Sequence, residues 1–214
     1  MLKGLELRNV VISHNGRPLA AIDITVAAGE VLSVMGPSGA GKSTLLAMIT
    51  GNLAPEFRAS GEVWLDGMNI TDLPTHQRRV GILFQDDLLF PHLSVGANLA
   101  FGLRAGGSKQ ERAAKINEAL REVDLEGYAD RDPATLSGGQ KARVALMRML
   151  LAEPCVLLLD EAFSRLDAAL RTQVRDLVFA RARVRNLPVV MVTHDLEDAK
   201  AAGGTVFTIA PHEN

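Results

Sequence analysis

A single cysteine, Cys155, stands among 214 residues, so no disulfide framework can form within the chain, and no Cys/His cluster has zinc spacing. Neither sign of charge dominates: 23 Lys and Arg against 25 Asp and Glu leave a net charge of −2. Without a basic excess there is no bulk field to hold nucleic acid or an anionic membrane surface, and nucleic acid is not an expected partner. No run approaches the roughly 20 apolar residues needed to span a bilayer. The N-terminus, MLKGLELRNVV, lacks the apolar core and small-residue cleavage site of a signal peptide, so none is expected. Internal repeats, low-complexity tracts and flexible linkers are also missing.

What remains is an ordinary globular composition, 47% hydrophobic and 22% charged, with the length of one domain or of one domain carrying an insertion. LELRNVVI and IDITV (Ile22 to Val26) alternate as strands, separated by turn chemistry over His14 to Pro18. VLSVM (Val31 to Met35) is a short apolar run of the buried parallel type. GEVWLDG (Gly61 to Gly67) reads as a hairpin, and GILFQ (Gly81 to Gln85), Cys155 to Asp160 and Pro188 to Thr193 as further strands. From Lys109 to Asp124, Ile116, Leu120 and Val123 recur at helical spacing. Strands alternating with helical stretches predict an α/β fold with a mostly parallel sheet. The block 88–135 is the expected helical insertion.

GPSGAGKST, comprising Gly36, Pro37, Ser38, Gly39, Ala40, Gly41, Lys42, Ser43 and Thr44, fits the phosphate-loop pattern and sits between a strand and a helix, as the pattern requires. Glycines let consecutive amides converge on one anion, and the helix start adds unpaired N–H groups and a favourable dipole. Lys42 is expected on the β- and γ-phosphates and Ser43 on Mg²⁺. The strand CVLLLD ends in Asp160 and Glu161, at the sheet edge where ligands of parallel sheets lie. Asp160 is expected to hold Mg²⁺, directly or through water, and Glu161 to face the attacking water as general base or orienter. LSGGQ opens a second helix: Ser137 is a good N-cap, and Gly138 and Gly139 before Gln140 leave the backbone approachable.

Taken together, GPSGAGKST, LSGGQ and the Asp160–Glu161 strand end resemble the ABC ATPase family over essentially the whole chain. The resemblance implies a P-loop NTPase (RecA-like) core, an N-terminal antiparallel β-subdomain and an inserted helical subdomain. The core would comprise 1–87 and 136–214, with 88–135 inserted, all within one domain, 1–214. It also implies ATP and Mg²⁺ as cofactors and a head-to-tail homodimer in which Ser137, Gly138, Gly139 and Gln140 of one copy close over the phosphate loop of the other.

Three further residues take their roles from the resemblance. Gln85 matches the glutamine that senses Mg²⁺ and the attacking water. His194 matches the switch histidine at the γ-phosphate, and Asp167, in SRLD, matches an aspartate that crosses the dimer interface. The family usually stacks an aromatic on adenine near position 14; here His14 offers less area, implying looser base selectivity. Ala162 stands where many relatives have proline. FPHLSVGANLAFGLR (Phe90 to Arg104) resembles importer ATPases, where the Gln85–Arg104 region lines a groove for membrane permease subunits. An importer motor on the cytoplasmic face of the inner membrane, serving an extracytoplasmic solute-binding protein, is therefore expected, with an exporter or lipoprotein-release motor as the alternative.

Overall fold

The computed structural model describes residues 4–209. They divide into two compact units, one comprising 4–82, 155–161 and 179–209, the other 83–154 and 162–178.

The first unit carries both sheets, apart from the last two residues of the strand Val80–Phe84. Strands β1 (Gly4–His14) and β2 (Arg17–Ala27) pair antiparallel. The expected turn narrows to Asn15 and Gly16, whose φ values of 50° and 79° are the positive pair a two-residue hairpin loop requires. His14 therefore belongs to the strand and not to the turn. Strand β4 (Phe57–Leu65) pairs with β1 and, through an Asp66–Gly67 turn, with the short β5 (Met68–Asn69), giving the sheet order β2-β1-β4-β5.

The second sheet has the order β6-β7-β8-β3-β9, built from β3 (Val31–Met35), β6 (Val80–Phe84), β7 (Val156–Asp160), β8 (Val189–Val192) and β9 (Thr205–Thr208). The pairs β7–β8, β8–β3 and β3–β9 are parallel. Parallel strands buried on both faces must be apolar throughout, and β7 and β8 are: VLLL and VVMV are wholly buried. Helix α1 (Lys42–Thr50) follows β3 and buries Leu45, Leu46, Met48 and Ile49 in the same core as Val34, Leu158 and Val192. Each such side chain contributes about 1.5–3 kcal/mol by leaving water. Gly51 ends α1 in the left-handed region, φ 75°, with its N–H donating to the Met48 carbonyl at 3.1 Å and Asn52 N–H to Ala47 O at 2.8 Å.

The second unit is helical: α2 (Val95–Gly102), α3 (Lys109–Arg121), α4 (Gly138–Leu150) and the first turns of α5 (Ala168–Val184). Helix α3 opens with a full capping box between Ser108 and Glu111. Helices α2 and α4 approach so closely that a Cβ on Gly102 would lie 1.9 Å from the Arg148 carbonyl. This packing is why the compact helical unit runs past Thr135, where the insertion was expected to end, and takes in α4. Short helix α6 (Leu196–Ala202) belongs to the first unit.

Candidate nucleotide site

The parallel register gathers the first unit's polar groups at one edge of the sheet. Asp160 on β7 and Val34 on β3 are both paired with Val192 of β8, one on each side. The carboxyl ends of three strands thus meet within about 10 Å, two strand spacings, and from them emerge the phosphate loop, Asp160–Glu161 and His194.

Gly41 turns the loop into α1 at φ 93°, a conformation that only glycine adopts without strain. A Cβ there would also press to 2.8 Å against Leu19. The first turn of α1 has neither an acidic residue nor a side-chain cap, so its N–H groups and the positive dipole end meet no competing carboxylate. Lys42 is buried, 7% exposed as a residue, and its ammonium donates to Gly36 O and Pro37 O, each at 2.9 Å. Ala40 N–H donates back to Pro37 O at 3.2 Å, so loop and lysine brace each other.

Ser43 Oγ donates to Asp160 Oδ1 at 3.0 Å. Burial pushes the Asp160 carboxyl above the usual carboxylate range; Glu161 adds to this, while the Ser43 bond and Lys42 oppose it. Glu161 leaves the strand in the left-handed region, φ 48°, with its N–H still donating to Val192 O at 3.1 Å. Consecutive strand residues would point to opposite faces. The turn at Glu161 instead brings it into the phosphate-loop cavity beside Asp160's partner Ser43. His194 Nδ1 stands 3.3 Å from Glu161 Oε2, within reach of an Nδ1–H to carboxylate hydrogen bond.

One cavity of about 380 Å³ is lined by Ser38, Gly39, Gly41 to Thr44 and Glu161, together with His14, Leu19 and Phe57 of the antiparallel sheet. His14 and Phe57 are cross-strand partners, and their rings stack at 4.8 Å between centroids and 30° between planes. The sequence reading missed Phe57. Its only signal lay in the β1–β4 register, which a bulge between Arg8 and Val11 shifts.

The remaining expected residues lie in the second unit. Gln85 is exposed immediately after β6. Ser137 caps α4: its Oγ accepts from Gln140 N–H at 3.3 Å, and Gln140 Oε1 accepts from Ser137 N–H at 2.9 Å. The Ser137 hydroxyl proton stays available to donate. Gln140 Nε2 also donates to the Tyr128 hydroxyl at 3.4 Å. The two glycines differ from the expectation of a shared open face. Gly138 has nothing near its missing Cβ, whereas a Cβ on Gly139 would sit 2.3 Å from Leu170 Cδ1. Gly139 is glycine for packing and Gly138 offers the open backbone. Asp167 is exposed, and its Oδ1 accepts from Leu170 N–H at 3.0 Å, an N-cap arrangement at the head of α5.

Known proteins resemble this chain in sequence. The family model described as ABC transporter matches residues 19–164. The chain is 53% identical over 185 residues to an uncharacterized ABC transporter ATP-binding protein, YnjD, of Escherichia coli, covering 86% of this chain and 85% of that one. It is 46% identical over 186 residues to the thiamine import ATP-binding protein ThiQ of Vibrio vulnificus, covering 86% and 77%. With the Fe(3+) ions import ATP-binding protein FbpC of Escherichia coli it shares 39% over 207 residues, 96% of this chain but 59% of that longer relative. No helix among the described residues is long and apolar enough to cross a membrane. The chain belongs to the ABC transporter family, as an ATP-binding subunit and an ATPase of that family.

Proposed function

We propose that two copies of this chain bind two ATP molecules head to tail and hydrolyse them to drive import through separate membrane subunits. The observation that carries this reading is the convergence of Lys42, Ser43 and Glu161 on one cavity, with Asp160 hydrogen-bonded to Ser43. Triphosphate sits on the amides of Gly36–Thr44 with Lys42 on its terminal phosphates; the ammonium exchanges the Gly36 and Pro37 carbonyls for phosphate oxygens. Glu161 accepts a proton from the attacking water, and His194 fixes the carboxylate and reaches the γ-phosphate. Ser137 and the open Gly138 backbone of the second copy close over that phosphate, supplying N–H and O–H donors where charge develops. Asp167 and Gln140 lie at the same junction.

Ser43 and Asp160 offer the hard oxygen donors that Mg²⁺ takes, completed by phosphate and water. Among the described residues no larger His/Cys/Asp/Glu cage competes for the role. Mg²⁺ would be held by Ser43 and Asp160 and would neutralise phosphate charge, while Gln85 takes its role of sensing Mg²⁺ and the attacking water from the family. His14 and Phe57 supply the face on which the base stacks.

The import direction is supported by the relatives named as import ATP-binding proteins. Exposed Leu88 and Phe101 in the segment that follows Gln85 support docking of a permease subunit there. On this reading the chain sits peripherally on the cytoplasmic face of the membrane, with a solute-binding protein outside.

Glu161→Gln tests the reading. The variant is expected to bind ATP, to elute as a dimer with Mg²⁺ and ATP, and to lose at least about a hundredfold in kcat. Turnover at the wild-type rate would remove Glu161 from its role.

A further inference from the structure

We propose that the ion pair between Arg165 and Asp86 is a releasable tie that sets the position of Gln85 for turnover, making both residues positioning residues of the ATPase reaction. The inference rests on the role given to Gln85 above. Arg165 Nη1 donates to Asp86 Oδ1 across 79 positions of sequence. Asp86 is the immediate neighbour of Gln85, and Arg165 stands two residues before Asp167. The pair therefore joins two loops, each of which carries a residue assigned to the ATP site.

The next residues are held differently. Arg148, on the helix that Ser137 caps, donates to Leu88 O at 2.9 Å and Asp87 O at 3.2 Å, with its guanidinium 5.3 Å from the centre of the Phe90 ring. Leu88 nevertheless keeps φ 47° while 57% exposed. A non-glycine residue holds such a backbone only when its surroundings over-determine it. Arg148 thus pins residues 87–88 through bonds to two main-chain carbonyls, the one to Asp87 part-buried and the one to Leu88 exposed, whereas Asp86 is tied by a side-chain pair in which Arg165 is 60% and Asp86 53% exposed.

Pairs this exposed contribute little to folding and weaken in salt. It is a poor support for the fold and a good catch, one able to open and close within a cycle. Closed, it holds the Gln85 end of the loop against the already fixed residues 87–88. Open, Gln85 is free to leave its catalytic position.

The test is steady-state ATPase kinetics on the full chain with Mg²⁺ and ATP, with melting temperatures measured alongside. Asp86→Ala and Arg165→Ala are each expected to lower kcat about fivefold with KM for ATP within about twofold, the pattern of an interaction that acts on turnover and not on ground-state binding. Melting temperatures should stay within about 2 °C. The charge swap, Asp86→Arg with Arg165→Asp, should recover most of kcat, and Arg165→Ala should cost nothing further in a Gln85→Ala background. Unchanged kcat in either single variant, or a swap as slow as the singles, would overturn the proposal. If Gln85→Ala itself turns over at the wild-type rate, the role of Gln85 falls and the tie with it. If Gln85→Ala is slow but Arg165→Ala is not, only the tie falls.

Discussion

Arg78 offers the sharpest test of how the phosphate-loop helix is held. Its side chain is buried, 7% exposed, and it donates from Nε to Leu73 O at 2.7 Å and from Nη1 to Met48 O at 2.9 Å and Ile49 O at 3.1 Å. Its Nη2 donates to Thr71 O. Two of these carbonyls belong to the last turn of α1, which carries negative partial charge; Met48 O also accepts from the Gly51 N–H at 3.1 Å. Burial lowers the guanidinium pKa, Asp72 pulling the other way, so the cation is already taxed by desolvation. Hydrogen bonds to a charged group contribute about 1.5–3 kcal/mol each before that cost is subtracted. Arg78→Met keeps much of the volume but leaves the carbonyls without their donor. By analogy with breaking a buried charged pair, it should cost about 3–5 kcal/mol. At about 2–4 °C per kcal/mol for a chain of this size, the melting temperature should fall roughly 6–20 °C. Arg78→Lys, a single ammonium that cannot fork to four carbonyls, should fall part of the way. Calorimetry or thermal circular dichroism reads both. An Arg78→Met protein melting within about 2 °C of wild type would refute the account, because it would mean that water replaces the guanidinium at no cost.

Other expectations concern packing, charge and base recognition. Gly102→Ala drives a methyl into the Arg148 carbonyl at 1.9 Å and should cost about 1–3 kcal/mol or more by urea unfolding, whereas Gly138→Ala, with open space around it, should leave stability nearly unchanged; equal effects would contradict the α2–α4 packing. The Glu111 carboxyl is held below its usual range, chiefly by the Ser108 backbone N–H and then by the Ser108 hydroxyl contact. Its charge therefore stabilises α3 above the range where an unfolded carboxylate ionises, and that contribution fades as pH falls through the lowered value. Glu111→Gln should lower the melting temperature at neutral pH and not in acid, and equal losses in both would refute this. Phe57→Ala should weaken ATP binding about tenfold, read by fluorescent-nucleotide titration, with His14→Ala weakening it less; an unchanged affinity would remove the ring pair from the site.

Local chemistry was readable in the sequence and long-range register was not. The phosphate loop declares itself because glycine, lysine and serine must be neighbours for one backbone to wrap one anion, and Val31–Met35 because an apolar run before such a loop has only the sheet interior to occupy. The Asp66–Gly67 hairpin was visible for the same local reason. Helix α2 was not: Val95, Ala97, Leu99, Ala100 and Phe101 are apolar on nearly every side, so no period marks them. Strand β9, four residues at the sheet edge, was missed for shortness. The helical boundary drifted because periodicity says that α4 has an apolar face but not that α2 covers it. Phe57 escaped because its meeting with His14 is a matter of strand pairing, and pairing is decided by the sheet as a whole.

The left-handed turn at Glu161 constrains any redesign of this edge of the sheet. On the proposed mechanism, two adjacent acids take different jobs because the chain pivots between them, not because aspartate and glutamate differ by a methylene. The double exchange, Asp160→Glu with Glu161→Asp, would therefore not exchange their duties: the side-chain lengths would be wrong on both sides of the pivot. Because the pivot is the backbone of Glu161 itself, a β-branched residue at 161 would be strained there as well as lacking the acid.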